Sequence, residues 1–374
     1  MSKIFLTGIT GLVGRAFTVS LLRERNDIEL ICLVRSMHGK GGLQRVQEII
    51  SSQCVFDSCQ EDTAKILSKV KVIEGDVVDL NPKELAKNPL LKGVDVVFHC
   101  AADVNLGKDL TGKTFKINYE GTVNVLGLAK LLQVKEFHYV STAYIAGKLT
   151  GRAMEDTPID SGFNNSYEES KFKAEQLVRN SGIPFSIYRP AIIIGRLTDG
   201  RILKPLAFYR ILEFIAKLKK NVCAKNAIPV STEIDLKVFF QLIPSDLIYF
   251  VPIDYIQKAI TALFQKPVCN RTYHVTGDAP VTTKEIRDAI CEVLHLKTID
   301  IGATTSNAEA TSSLMERFLG DLFPYFSSQI VFDQTNVRAG LPEGALDWTV
   351  GKNGLKVMIS SFYKDFFPEF DWIK

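Results

Sequence analysis

The sequence predicts an α/β fold in which a doubly wound parallel sheet carries helices on both faces. Three observations predict it. Short apolar runs alternate with helix-like segments through the first half, each run is apolar at nearly every residue, and a glycine-rich turn joins the first run to the first helical stretch. A strand covered on both faces has no solvent side to make polar, so continuous apolarity marks the parallel kind. Parallel neighbours in turn need a crossover, which the intervening helical stretches supply.

Taken in order, the strands are Ile4 to Leu6, Glu29 to Val34, Val70 to Glu74, Val94 to His99, Phe137 to Ser141 and Phe185 to Tyr188. The helical stretches between them include Arg15 to Arg25, Ile117 to Leu132 and Tyr167 to Asn180. Right-handed crossovers then give a Rossmann-type sheet. The stretch His38 to Lys69 is longer than a compact crossover needs, and its polar sequence predicts an extra helix or two on the surface, with no function assigned. After Gly195 the alternation stops. A helix-like, aromatic and lysine-bearing segment runs to Lys220, and a Pro-interrupted apolar stretch to about Phe250. A strand at Arg271 to Val275, a helix at Thr283 to Leu294 and a polar, mobile patch at Ala303 to Ser313 are expected next. Residues 1–195 are therefore expected to bind the cofactor and carry the catalytic groups. Residues 196–374 are expected to be mainly a smaller substrate-binding and lid region, with about 250–280 returning to the core.

Bulk properties exclude several classes. A net charge of +3 and 46% hydrophobic residues describe an ordinary globular protein, too mildly basic to imply nucleic acid. Seven scattered cysteines argue against a disulfide framework and for a reducing compartment. The first strand leaves no room for a signal peptide, and no apolar run reaches the ~18 residues of a membrane span, so a cytoplasmic location is expected. No metal is expected: none of the five histidines are paired at i, i+4, and His99 and Cys100 point to opposite faces of their strand. Lys217, Lys219, Lys220 and Lys225 read as a solvated helix face, and the six aromatics between Phe362 and Trp372 as core cover, with an interface or lid as the alternative.

The glycine turn Thr7-Gly8-Ile-Thr10-Gly11-Leu12-Val13-Gly14 lies between strand and helix, where a chain must turn tightly and let a pyrophosphate approach its backbone. Its spacing differs from the usual dinucleotide fingerprint by one residue before the second glycine. At the tip of the second strand Arg35 stands where an NAD site would place a carboxylate, which favours NADP(H) through pairing with a 2′-phosphate, with Arg15 assisting. Asp76 and Val77 follow the third strand, where a carboxylate can reach the adenine edge. Ala101 and Ala102 follow the fourth, where small side chains leave room beside a ribose.

Tyr167 and Lys171 are four residues apart on a predicted helix and share a face. A phenol of reference pKa ~10 exchanges protons poorly at neutral pH unless a cation lowers that value, and Lys171 is expected to do so. Ser141 and Thr142 place hydroxyls at a strand's C-terminal end, where a donor can meet a carbonyl. Together these groups point to hydride-transfer chemistry.

The glycine turn, the Ser-Thr pair and Tyr-x3-Lys, in this order, resemble the extended short-chain dehydrogenase/reductase superfamily. Within it the chain is similar to the thioester reductase and fatty acyl-CoA reductase branch. The resemblance spans roughly residues 3 to 280 and is carried by Cys32-Leu-Val-Arg35, Val94 to Asn105 with its Ala-Ala-Asp-Val-Asn run, Asn118-Tyr-Glu-Gly-Thr122, Val140-Ser-Thr-Ala-Tyr144, Tyr188 to Gly195 and Phe250 to Tyr255. It implies that Tyr167 is the general acid, that Lys171 holds the nicotinamide ribose and tunes Tyr167, that Thr142 rather than Ser141 orients the carbonyl, and that Asn118 is the structural and relay asparagine. Pro190 joins the cofactor residues. The implied reaction is NADPH-dependent reduction of an acyl thioester, on CoA or a separate carrier protein, to aldehyde or alcohol, with Leu203 to Phe250 as acyl-chain lid. Oligomeric state is left open. The rival readings are a sugar-nucleotide epimerase or dehydratase, a hydroxysteroid-type dehydrogenase, and a non-catalytic NADP sensor.

Overall fold

A computed structural model describes residues 2–277, 279–302 and 318–373; the polar patch expected at Ala303 to Ser313 lies outside the described residues. Strands β1 (Ser2–Thr7), β2 (Ile28–Val34), β3 (Val70–Glu74), β4 (Val94–His99), β5 (Glu136–Val140), β6 (Phe185–Pro190) and β7 (Arg271–Val275) form one seven-stranded sheet. Every neighbouring pair is parallel, in the order β3-β2-β1-β4-β5-β6-β7. The order reverses between β1 and β4, and that reversal opens a crevice at the C-terminal ends of the strands.

The continuous apolarity of each strand serves two cores, because successive side chains point to opposite faces. Ile4, Leu6, Leu30, Cys32, Val96 and Phe98 enter one core; Phe5, Ile31, Leu33, Val97 and Phe137 enter the other. Helices α1 (Leu12–Glu24) and α2 (Gly42–Phe56) cover the first face, joined there later by α6 (Ile253–Phe264); Phe17 of α1 stacks on Phe98 at 3.9 Å and meets Phe264 edge-on at 5.1 Å. Helices α3 (Gly121–Leu132) and α4 (Ser166–Arg179) cover the second, through Val125, Leu126, Ala174 and Val178.

The stretch His38 to Lys69 differs from expectation. Its main helix, α2, is the β2-to-β3 crossover itself, and the stripe Val46, Ile50, Cys54 at i, i+4, i+8 is buried in the core. The extra helices expected there are the short ones after it, Gln60–Asp62 and Thr63–Ser68.

Beyond Gly195 the chain builds α5 (Phe208–Lys225), then α6 and β7, then α7 (Thr283–Leu294) and α8 (Gly351–Phe366). The aromatic tail packs inward: Phe362 meets Tyr209 of α5 at 5.0 Å, and the Tyr363 hydroxyl donates to Leu212 O at 2.9 Å. The lysine cluster is not uniformly solvated. Lys217 and Lys220 are exposed ion-paired residues, but Lys219 is fully buried, with its ammonium on the Leu294 and His295 carbonyls that end α7. A cation there meets the negative end of the helix dipole.

A buried ionic network ties the sheet edge to the C-terminal region. Arg189 of β6 pairs with Glu175 of α4 and contacts His274 of β7, while Glu155 accepts from the backbone N–H groups of His274, Asn336 and Val337. Residues Ile330–Phe332 pair in parallel with Gly151–Ala153 beside it.

Candidate active site

The glycine turn closes as a bare backbone must. Gly8 has φ +86°, and a Cβ there would lie 2.5 Å from Ala101 N; a Cβ on Gly14 would lie 2.2 Å from Gly8 O. The N-cap of α1, Gly11, has no side-chain cap, and no acidic residue occupies the first turn. That leaves the positive end of the helix for an anion, and the turn fits a dinucleotide pyrophosphate. Arg15 does not reach outward to assist: it donates to Thr10 O at 3.0 Å and Gly11 O at 3.3 Å, bracing the turn.

A cavity of about 570 Å³, within the usual range for ligand sites, follows the strand ends. Gly8, Thr10, Gly11, Leu12, Val13, Arg35, Asp76, Val77, Ala101, Ala102, Thr142, Tyr167, Lys171 and Pro190 all line it. Three residues expected at the site stand behind its wall instead: Thr7, Gly14 and Asn118. Thr7 Oγ1 bonds His99 Nδ1 at 2.6 Å, and His99 Nε2 bonds Thr122 Oγ1 at 3.0 Å. Burial, and secondarily the Lys171 charge, pull His99 down to about 3, so it is neutral.

Asn118 lies in a π-helical turn, Lys116–Glu120, a distortion that recurs at functional sites. Its Oδ1 accepts from Asp103 N at 2.8 Å, and its Nδ2 donates to Asp103 O at 3.1 Å and Ser170 Oγ at 3.0 Å. Both amide hydrogens are thereby engaged, and the side chain rivets the β4 loop to α4 between Tyr167 and Lys171.

Asn165 caps α4, its Oδ1 accepting from Glu168 N at 3.0 Å, and the helical period then brings Tyr167 and Lys171 to one face. Tyr167 is nearly buried, and burial pushes its phenol up to about 12 against the opposing hydrogen bond with Thr142. Lys171, expected to lower it, is not among the groups that act on the phenol. Desolvation wins, and the phenol is protonated at neutral pH, as a proton donor must be. Lys171 Nζ donates to Val140 O at 2.7 Å and sits 4.1 Å over the Tyr139 ring. Burial lowers it to about 7, while Cys100 and Glu175 oppose that shift. Of the two candidate hydroxyls, Thr142 is the one that acts on the Tyr167 phenol, favouring its charged form; Ser141 Oγ is buried without a partner.

At the other end of the cavity Arg35 pairs with Asp76 at 3.1 Å, so Asp76 faces a guanidinium rather than standing free for an adenine. Arg45, on α2, donates to Arg35 O and also lines the cavity. Sequence reasoning missed Arg45 because it took α2 for a surface addition; reading the 46, 50, 54 stripe as a crossover helix finds it. Of the segment expected to cover an acyl chain, Lys204, Leu206 and Ala207 line the cavity, whereas Phe208 is fully buried core. Leu322, Tyr325 and Phe326 complete the wall and were not foreseen, although Leu322-Phe-Pro-Tyr-Phe326 is an apolar, aromatic run.

A doubly wound sheet with a glycine turn at its switch point and a Thr-Tyr-Lys cluster in the adjoining cavity defines a nicotinamide-dependent oxidoreductase of the extended short-chain dehydrogenase/reductase superfamily. Residues 6–260 match the NAD-binding family described as male sterility protein, and the chain belongs to that family, the thioester reductase and fatty acyl-CoA reductase branch. It is 27% identical over 318 residues to aldehyde reductase lnbA of Aspergillus flavus, covering 78% of this chain and 29% of that protein. Against the putative fatty acyl-CoA reductase CG8306 of Drosophila melanogaster it is 27% identical, over 91% of this chain and 72% of the relative. The terminal R domain from the myxalamid PKS-NRPS biosynthetic pathway shares the fold, with TM-score 0.74 at 23% identity over 98% of this chain and 92% of that one. The chain spans 25–29% of the two aldehyde reductases of Aspergillus flavus that it matches. No helix among the described residues is long and apolar enough to cross a membrane.

Proposed function

We propose that the protein reduces acyl thioesters with NADPH to the aldehyde or, through a second round, the alcohol. The observation that carries this reading is the Thr142–Tyr167 hydroxyl pair beside Lys171 in a cavity whose far wall is apolar and aromatic, in a chain of this family. Bound NADPH supplies the hydride. The chain's own residues do the rest: the Thr142 and Tyr167 hydroxyls hold the carbonyl oxygen as negative charge develops, and Tyr167 gives up its proton to it. Lys171 has one ammonium hydrogen on Val140 O and others left to hold the cofactor's ribose and steady the phenolate. The tetrahedral hemithioacetal then collapses to aldehyde and thiol.

Arg35 and Arg45 support NADPH over NADH, since two guanidinium groups at the end of β2 suit a 2′-phosphate. Residues 1–195 are assigned the cofactor and the proton transfer, and residues 196–374 mainly the acyl group, whose carrier is CoA or a separate carrier protein. NADPH oxidation followed over acyl-CoAs of graded length, with product identification, tests the reading. Aldehyde formation at some chain length supports it. No turnover at any length, together with good turnover of a UDP-sugar, overturns it in favour of an epimerase.

A further inference from the structure

The wall formed by Leu322, Tyr325 and Phe326 comes from a part of the chain some 150 residues from the catalytic helix, yet one hydroxyl joins the two. Tyr325 is buried, at 3% exposure. Its OH accepts from Asn165 Nδ2 at 2.8 Å and stands beside the Glu168 carboxylate, whose charged form it favours. Asn165 is the N-cap of α4, two residues before Tyr167, and Glu168 is the residue after it. The Tyr325 ring meets Tyr144 edge-on at 4.8 Å, and Tyr144 N donates to Thr142 Oγ1 at 3.3 Å. One side chain therefore touches the immediate neighbours of both proton-handling hydroxyls.

Glu168 explains why the hydroxyl matters. Glu168 is 1% exposed and pairs with no cation among the described residues; its carboxylate accepts from Asn164 N at 2.8 Å and from Asn164 Nδ2, with the Tyr325 hydroxyl alongside. A buried carboxylate with so few polar neighbours is left less well satisfied when one of them goes, and the first turn of α4 must shift to recover water or another partner. The wall segment is also fixed at its far end, where Arg210 of α5 pairs with Asp321 at 2.6 Å and donates to Phe318 O at 2.7 Å. It is thus pinned on one side to α5 and on the other to the catalytic helix.

We propose that Tyr325 is a positioning residue: its hydroxyl latches the Leu322–Phe326 wall to the first turn of α4, so that the wall meeting the acyl group and the helix carrying Tyr167 are held in one register. The proposal draws on the reductase reading only for its choice of substrate. Tyr325→Phe keeps the ring on Tyr144 and deletes the hydroxyl alone. Asn165→Ser keeps a good N-cap and deletes the donor to Tyr325.

Amide hydrogen exchange over residues 163–170, measured without substrate, reads the latch directly. At least tenfold faster exchange is expected in both variants, with the cofactor dissociation constant within about twofold of wild type. With an acyl thioester that the wild type turns over, Tyr325→Phe is expected to lose about tenfold in kcat with KM nearly unchanged, a split that mere loss of stability does not produce. Unchanged exchange in Tyr325→Phe, or faster exchange with undiminished kcat, overturns the proposal. A wild type inactive on every thioester counts against the reductase reading, and the exchange result still decides the latch.

Discussion

Among the described residues three lysines are buried, and two of them, Lys171 and Lys219, hold the ammonium over an aromatic ring and on a backbone carbonyl; their surroundings separate chemistry from architecture. Lys171 donates to a single carbonyl, Val140 O, lies over Tyr139, and opens onto the cavity. Lys219 is held by two carbonyls at the end of α7, lies 5.0 Å over Trp372, and lines no ligand cavity described above. Burial lowers both, to about 7 and about 8. A displaced pKa alone therefore does not mark a catalytic group. What distinguishes Lys171 is donor capacity left over and aimed at space that a ligand can fill.

Exchanging the roles is the strongest way to break this contrast. Lys171→Met is expected to lower kcat/KM by about 10² to 10⁴ while leaving denaturant stability within ~1 kcal/mol, because the methionine refills the volume. Lys219→Ala is expected to do the reverse. Turnover per folded molecule stays at wild type, while stability falls by roughly 2–4 kcal/mol from the cavity and the two orphaned carbonyls, read by urea denaturation. Equal loss of activity in both variants removes the distinction.

Arg35→Ala and Arg45→Ala sharpen the cofactor side. Each is expected to weaken NADPH binding about 10-fold or more, the worth of a charge-assisted hydrogen bond, with NADH binding nearly unchanged in fluorescence titrations. Equal weakening for both cofactors contradicts the 2′-phosphate assignment.

The smallest effect expected is the pH dependence of stability. Lys219 falls from 10.5 in the unfolded chain to about 8 in the fold. Below about 8 it is protonated in both states and the cost of burying its charge is fully present; above 10.5 it is neutral in both and that cost is gone. Wild-type stability should therefore rise relative to Lys219→Ala as pH climbs from 8 to 10. A difference that is flat or shrinks over that range contradicts the burial account.

Much of the fold was legible because it rests on local pattern. Continuous apolar strands, a glycine turn and a helical Tyr-x3-Lys are written in consecutive residues, and the sheet, the tight turn into α1 and the shared face of Tyr167 and Lys171 follow from them. The missed features depend on long-range contact. Arg45 reaches the cavity only because α2 crosses over the sheet, Lys219 is buried only because the end of α7 and Trp372 close around it, and Tyr325 meets Asn165 from 160 residues away. The direction of the Tyr167 shift was misjudged for the same reason: sequence spacing displays the nearby cation but not the depth of burial that raises the phenol.

The central claim is that Tyr167 is the proton donor of a thioester reduction, and single-turnover aldehyde formation by Tyr167→Phe, with NADPH affinity measured in parallel, tests it most directly. NADPH binding within about twofold of wild type and a rate at least ~10²-fold slower is the predicted result. A Tyr167→Phe variant that binds NADPH normally and forms aldehyde at the wild-type rate contradicts it.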